Sequence, residues 1–198
     1  MPVYTLTYFP ARGIAEMSRY VFAEAGVQYE DIRVTGDEWP KLKPNTPFGK
    51  MPYLTVDGKY VAHSRAIVRF LGREFRLDGG DSLTAARLDV WIEQLFETYS
   101  SMPWTEEDED KKAKLLATWE KETLEPKLKK LEAEINATGG PYFLGKDVSI
   151  LDLVIFSICE FMKAKWNLDF AQFCTLTKLR EAVAARPNIA AWIKKRPE

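Results

Sequence analysis

The chain has 198 residues, 46% of them hydrophobic and 29% charged, enough for one large or two small folded domains with a sizeable core. Its 28 Lys and Arg against 29 Asp and Glu leave a net charge of -1, which argues against a nucleic-acid footprint and against a basic membrane patch. No uninterrupted apolar run reaches membrane-spanning length and no signal pattern precedes the first predicted strand, so a cytosolic location is expected.

In chain order, Val3–Tyr8 reads as a strand, Ile14–Ala25 as a helix that Gly26 ends, and Gln28–Val34 as a second strand. A short helical turn is expected around Trp39–Leu42. The stretch "MPYLTVDGKYVAHSRAIVRF" then predicts a β-hairpin, with strand formers on both sides of the tight-turn pair Asp57-Gly58. Ser64 reads as the N-cap of a helix carrying Ile67, Phe70 and Leu71 on one face. A strand-helix-strand opening implies a parallel pair, and the later hairpin makes the sheet mixed.

The segment "RLDGGDS", residues 76–82, reads as a linker, and everything after it is helical. In "LDVWIEQLFETY", Leu88, Trp91, Ile92, Leu95, Phe96 and Tyr99 form one wide apolar face. Leu124, Leu128, Leu131 and Ile135 repeat the pattern, with Pro126 expected to bend or interrupt that helix and "GGP" at Gly139–Pro141 to stop it. The acidic run "TEEDEDKK" reads as a solvated helix start rather than a metal site. "VSILDLVIFSIC" starts with a capping box, Ser149 with Asp152. Cys159 and Cys174, without metal spacing, are expected to be buried free thiols. The expected architecture is therefore a small α/β domain, 1–75, the linker 76–82, and an all-helical domain, 83–198. Clefts between such parts are common ligand sites.

Several residues around that cleft carry chemistry. Tyr8 ends the first strand, at the sheet edge where ligands gather in open α/β folds. It reads either as an aromatic filling the domain edge or as a hydroxyl donating to a bound anion. Were the anion a thiolate, the donation would favour ionisation. A two-unit fall in the thiol pKa asks roughly 2.7 kcal/mol of the site. Pro52 lacks the ladder N–H, so it begins a strand or flanks an edge facing something else. A cis bond there would leave the Met51 backbone open to an extended peptide-like ligand. Ser64, with neighbouring amides at a helix start, would seat a carboxylate. With His63 as the sole histidine, a multi-histidine metal site and a Ser-His-Asp apparatus are poor propositions.

The stretches "YTLTYFPARG", "YEDIRVTGDEWPKLKPNTPFGKMPYLTVDG", "HSRAIVRFLGREF" and "RPNIAAWIKKRP" resemble sigma-class glutathione transferases, the class that includes haematopoietic prostaglandin D synthase. The resemblance spans essentially the whole chain. It implies a thioredoxin-like N-terminal domain, an all-helical C-terminal domain, a cytosolic homodimer, glutathione as co-substrate and no metal. By the resemblance, Tyr8 matches the catalytic tyrosine at the glutathione sulfur, Trp39 and Lys43 match contacts to its glycyl carboxylate end, and Lys50 falls beside them where the family places a backbone or side-chain contact. Met51 matches the backbone pairing with the cysteinyl unit, followed by cis Pro52, and Ser64 matches the γ-glutamyl carboxylate ligand. Glu97 falls where an acidic residue reaches across the dimer, and Tyr99 and Trp104 would line the pocket for an apolar electrophile.

Two positions depart from the family pattern. His63 replaces a frequent glutamine, and its protonation would strengthen carboxylate binding at low pH. Ile14 stands where several members carry an arginine supporting the thiolate; Arg12 is the nearby alternative cation, or else a solvated surface residue. The implied activity is conjugation of the glutathione thiolate to apolar electrophiles. Isomerisation of prostaglandin H2 to D2 and a non-catalytic, S-crystallin-like binding role are the alternatives.

Overall fold

The computed structural model describes residues 2–197. Its first part holds strands β1 (Tyr4–Tyr8), β2 (Glu30–Arg33), β3 (Tyr53–Val56) and β4 (Lys59–Ala62), ordered β2-β1-β3-β4 in one sheet. Helix α1 (Glu16–Ala25) joins β1 to β2, which lie parallel with Tyr8 opposite Arg33. The β1–β3 and β3–β4 pairs are antiparallel, giving the mixed sheet expected. Asp57 and Gly58 close the hairpin with φ of 47° and 80°, the left-handed pair that suits a two-residue loop between twisted strands. Gly26 ends α1 at φ 66°. A short helix, α2 (Trp39–Leu42), follows β2.

Helix α3 (Ser64–Glu74) buries Ile67, Val68 and Leu71 in one core with Leu6 of β1, Leu54 of β3 and Phe22 of α1. The remaining helices are α4 (Ser82–Ser100), α5 (Glu109–Trp119), α6 (Glu125–Thr138), α7 (Ile150–Trp166), α8 (Cys174–Ala184) and α9 (Pro187–Lys195). The α4 positions picked out by spacing are buried as far as Phe96, with Tyr99 half-buried. In α7 every residue from Ile150 to Cys159 is buried, and the helix packs on α1, α4 and α8, so the α/β part and the helical part share one continuous core.

The expected interruption at Pro126 is a π-helical turn at Glu120–Leu124, through which the chain passes from α5 to α6, with Pro126 in the first turn of α6. Proline lacks an N–H and crowds the carbonyl four residues back, and a widened turn relieves both demands. The acidic run does start a helix, with Asp108 accepting from the Lys111 amide at 2.9 Å. The cysteine expectation needs correction. Both thiols are free, but only Cys159 is buried; Cys174 is exposed. It opens α8 at the surface while its apolar neighbours Phe173 and Leu176 take the buried positions.

The capping box at the start of α7 forms as expected. Asp152 accepts from the Phe143 amide on one oxygen and from the Ser149 amide and hydroxyl on the other, all at 2.8 Å. Complete burial nonetheless pushes its carboxyl pKa up to about 6. A carboxyl whose pKa is higher folded than unfolded binds protons preferentially when folded, so its contribution to stability declines as pH rises from about 4 to 6. Asp152→Ala leaves two buried amides without an acceptor and should lower the unfolding free energy by about 3 kcal/mol. Asp152→Asn should remove the part of the stability that declines over that pH interval. Urea unfolding at a series of pH values checks both.

Candidate active site

Where β1 ends at Tyr8, the chain turns through Phe9–Arg12 and a tight helical turn at Gly13–Ala15 into α1. Gly13 has φ +44°, and a Cβ at that position would stand 2.7 Å from Tyr8 Oη and 2.9 Å from Cε1 of its ring. The glycine backbone is therefore the floor on which the phenol rests, and both its φ and the close approach require glycine. Tyr8 is half-buried, and desolvation raises its pKa above the ordinary value of 10.0, with the Ile14 backbone amide and the Arg19 charge pulling the other way. The phenol is thus protonated at neutral pH and available as a donor. The Ile14 backbone amide faces the same oxygen.

A cavity of about 250 Å³ opens beside this loop, with Ile14, Lys50, Met51, Pro52, His63 and Ser64 among its lining residues. The Met51–Pro52 bond is cis. Because β3 starts only at Tyr53, Met51 precedes the ladder, and its backbone has no backbone partner among the described residues. Ser64 corrects the capping expectation. It is the first helical residue of α3, and the N-cap is His63, whose φ of 68° and ψ of 122° lie outside helical space. The His63 carbonyl accepts the first helical bond, from the Ile67 amide at 3.0 Å. This places the Ser64 hydroxyl and the unpaired first amides of α3 together at the cavity wall, the polar end of the site.

The opposite end is aromatic. Tyr99 of α4 lines the cavity, and burial, with the Tyr8 charge adding to it, raises its pKa to about 12. Trp104 donates its indole N–H to the Tyr99 carbonyl at 2.9 Å and meets the Tyr99 ring edge-on at 4.8 Å. Phe161 and Trp166 of α7 continue this aromatic cluster, with Trp166 4.7 Å from Trp104, but the rings that line the cavity itself are Phe48, Phe96 and Tyr99, with Trp104, Phe161 and Trp166 behind them. Sequence reasoning named Tyr99 but missed Phe96, which reads as simple core in the periodicity of α4, and the expectation for Trp104 needs correction, since its ring packs on Tyr99 without lining the cavity.

Of the other candidate residues, Trp39 packs against Phe9 at 5.6 Å and Lys43 runs beside Gly49, so both stand near the loops without lining the cavity. Glu97 does not reach it either: its largely exposed carboxylate accepts from Gln94 at 2.9 Å and lies 3.9 Å from Lys127.

A mixed thioredoxin-like sheet, an all-helical second domain and a tyrosine over the junction of the two define the glutathione transferase architecture. The family description "Glutathione S-transferase, N-terminal domain" matches residues 4–73, and "Glutathione S-transferase, C-terminal domain" matches residues 93–196. The chain is 39% identical to hematopoietic prostaglandin D synthase of Gallus gallus over 201 residues, covering 100% of this chain and 98% of that one. It is 37% identical to glutathione S-transferase 1 of Ascaris suum over 210 residues, with coverage of 100% and 98%. The solved structure of prostaglandin synthase D of Nilaparvata lugens superposes with a TM-score of 0.90 at 34% identity, covering 99% of each chain. The chain belongs to the glutathione S-transferase family, and its relatives fit the sigma class.

The Gly13 contact gives a direct test. Gly13→Ala should push the phenol off its floor and cut glutathione-conjugating turnover about tenfold to a hundredfold, as misplacement of a reacting group by an ångström does. Initial rates with 1-chloro-2,4-dinitrobenzene, alongside circular dichroism of the variant, check this.

Proposed function

We propose that the chain conjugates the thiolate of glutathione to apolar electrophiles, with Tyr8 as the hydrogen-bond donor to the sulfur. The observation that carries this reading is the Tyr8 phenol itself, kept protonated by burial and seated on Gly13 beside a cavity with one polar and one aromatic end. On binding, the thiol proton leaves to solvent and the Tyr8 hydroxyl donates to the resulting anion. The sulfur lone pair then forms a carbon–sulfur bond to the electrophile, and the leaving group departs with the electrons of the bond it breaks. Holding both reactants in one cleft adds proximity to thiolate stabilisation.

In this proposal the Ser64 hydroxyl and the first amides of α3 seat the γ-glutamyl carboxylate, with His63 beside them. The free Met51 backbone pairs with the cysteinyl unit as an added strand would, with Pro52 next to it. Lys50, Lys43 and Trp39 serve the glycyl end, the latter two by moving toward the ligand. Tyr99 and Trp104, with Phe161 and Trp166, hold the apolar electrophile. Residues 1–75 form the glutathione-binding domain and 83–198 the electrophile domain, joined by 76–82. No metal takes part, and the site of action is the cytoplasm.

The active form in this reading is a homodimer. Leu83, Val90 and Glu97 follow one another at intervals of seven along α4, a single stripe, and Leu83 and Val90 are exposed by 71% and 60%. Phe48 is a large aromatic exposed by 69% and held at φ 57°. Large apolar side chains presented to solvent in this way mark association surfaces. Glu97, at the end of the stripe and outside its own cavity, is then placed to serve the partner's site.

Tyr8→Phe should lower kcat/KM for 1-chloro-2,4-dinitrobenzene by about 10²–10³-fold, the scale of losing one aimed donor, with glutathione still bound. Wild-type protein with no turnover at saturating glutathione would move the assignment to a binding role. Val90→Arg should convert the dimer to monomer in sedimentation velocity; a monomeric wild type sinks the dimer.

A further inference from the structure

Arg19, on the second turn of α1, is the largest charged side chain with no exposed surface. Its Nε and Nη2 each donate to Asp31 of β2 at 3.2 Å, and Nη1 lies 3.1 Å from Glu16. The same Nη1 donates to the carbonyl of Ala11 at 2.9 Å and of Arg12 at 3.3 Å. Those two carbonyls belong to the residues that immediately precede Gly13 and Ile14. Gly13 is the floor under the Tyr8 ring, and the Ile14 amide faces its hydroxyl. The guanidinium therefore fastens, from behind, the short loop against which the phenol rests.

We propose that Arg19 is a positioning residue for the thiolate chemistry: it holds the Ala11–Ile14 loop so that the Tyr8 hydroxyl is aimed at the sulfur, and it supplies the buried positive charge behind that loop. The proposal rests on the glutathione reading given above. Two features favour Arg19 over Arg12, the cation nearer in sequence. Arg12 reaches the loop only by its backbone, whereas the Arg19 side chain binds two of the loop's carbonyls. Arg19 is also the one charged group among the described residues that bears on the ionisation of Tyr8, in the direction that favours an anion there. Fixed charges and donors are effective because they need no reorganisation when charge develops.

The groups facing Arg19 are Glu16 on α1, Asp31 on β2 and Tyr29 just before β2, whose phenol burial keeps protonated, with Arg33 beyond Asp31 and Arg196 beyond Glu16. Tyr8 faces Tyr99 of α4, which burial keeps protonated. None of the tyrosines changes charge over a neutral pH range, so a shift in the bound thiol reports on the loop and on Arg19.

Two variants test the idea. Arg19→Lys keeps a cation for Glu16 and Asp31, but its single ammonium cannot also span both loop carbonyls. The double variant Arg19→Gln with Asp31→Asn removes the buried charge together with its partner, leaving amides that can pair, while Glu16 keeps Trp192 and Arg196. The readouts are glutathione affinity by calorimetry, the thiolate absorbance of bound glutathione against pH, and the pH profile of kcat/KM. The expected result is affinity within about threefold of wild type and a bound-thiol pKa raised by about one unit. Turnover should then fall roughly tenfold on the acid side of the profile and converge with wild type on the alkaline side. A merely structural residue would lower activity equally across pH. Either variant, folded and saturated with glutathione, that shows the wild-type thiol pKa overturns the proposal. Wild-type protein that binds no glutathione overturns instead the reading on which it rests.

Discussion

A guanidinium with no exposed surface is tolerable only when its charge and its N–H groups are matched within the protein. Arg19 meets that demand from the β1–α1 loop, from α1 and from β2, and the groups that answer it are themselves shared. Glu16 also accepts from the Trp192 indole at 2.8 Å and lies 3.3 Å from Arg196, so the end of α9 is tied to the start of α1. At the other end of α1, Arg186 grips both oxygens of Glu24. Helix α1 is thus pinned at both ends by the C-terminal segment, while its middle is buried against α3 and α7. The loop beneath Tyr8 is the leading edge of that helix, and its rigidity derives from the helical domain as much as from the sheet.

In the proposed reaction, that arrangement lets one cleft serve two chemically opposite ligand parts. The α/β part contributes backbone: the open Met51 edge and the first amides of α3, both set by main-chain conformation. The helical part contributes side chains: Phe96 and Tyr99 at the cavity, with Trp104, Phe161 and Trp166 packed edge to face behind Tyr99. Polar recognition through the main chain is tolerant of side-chain change, which is why His63 can stand at a left-handed N-cap without moving Ser64 off the cavity wall. The aromatic wall has no such insulation. In the proposed reaction, the electrophile preference is set there.

Most of the scaffold was legible in the sequence because its signals are local. Asp57-Gly58 announced the hairpin, Ser149 and Asp152 announced the cap, and the three- and four-residue spacings announced the buried faces of α4 and α6. The errors arose where geometry depends on what lies across space. Ser64 looks like a cap because serine is a good one, but the left-handed His63 takes that place and moves Ser64 one step into the helix. Cys174 sits among apolar neighbours in sequence, yet the surface of α8 leaves it exposed. Tyr8, Met51, Pro52 and Ser64 could be picked out because the ends of strands and helices are themselves sequence signals. Phe96 could not, since an aromatic on a buried helix reads the same whether it faces core or cleft.

Ile14 lies where the polar cavity, the Tyr8 loop and the apolar wall meet. An arginine at this position would place a mobile cation in the cavity; the isoleucine instead presents an apolar wall while its own amide faces Tyr8. An apolar wall lowers the local dielectric, which strengthens any hydrogen bond made to the sulfur and raises the cost of leaving that charge unmatched. The same burial keeps the phenol protonated, so the group that must donate retains the proton it donates with. In the proposed reaction, stabilisation of the thiolate therefore falls to fixed elements: a phenol on a glycine floor, a backbone amide, and a buried charge one layer behind. Such a site forgoes a cation at the sulfur and relies on accurate placement, and accurate placement is what the double anchoring of α1 provides.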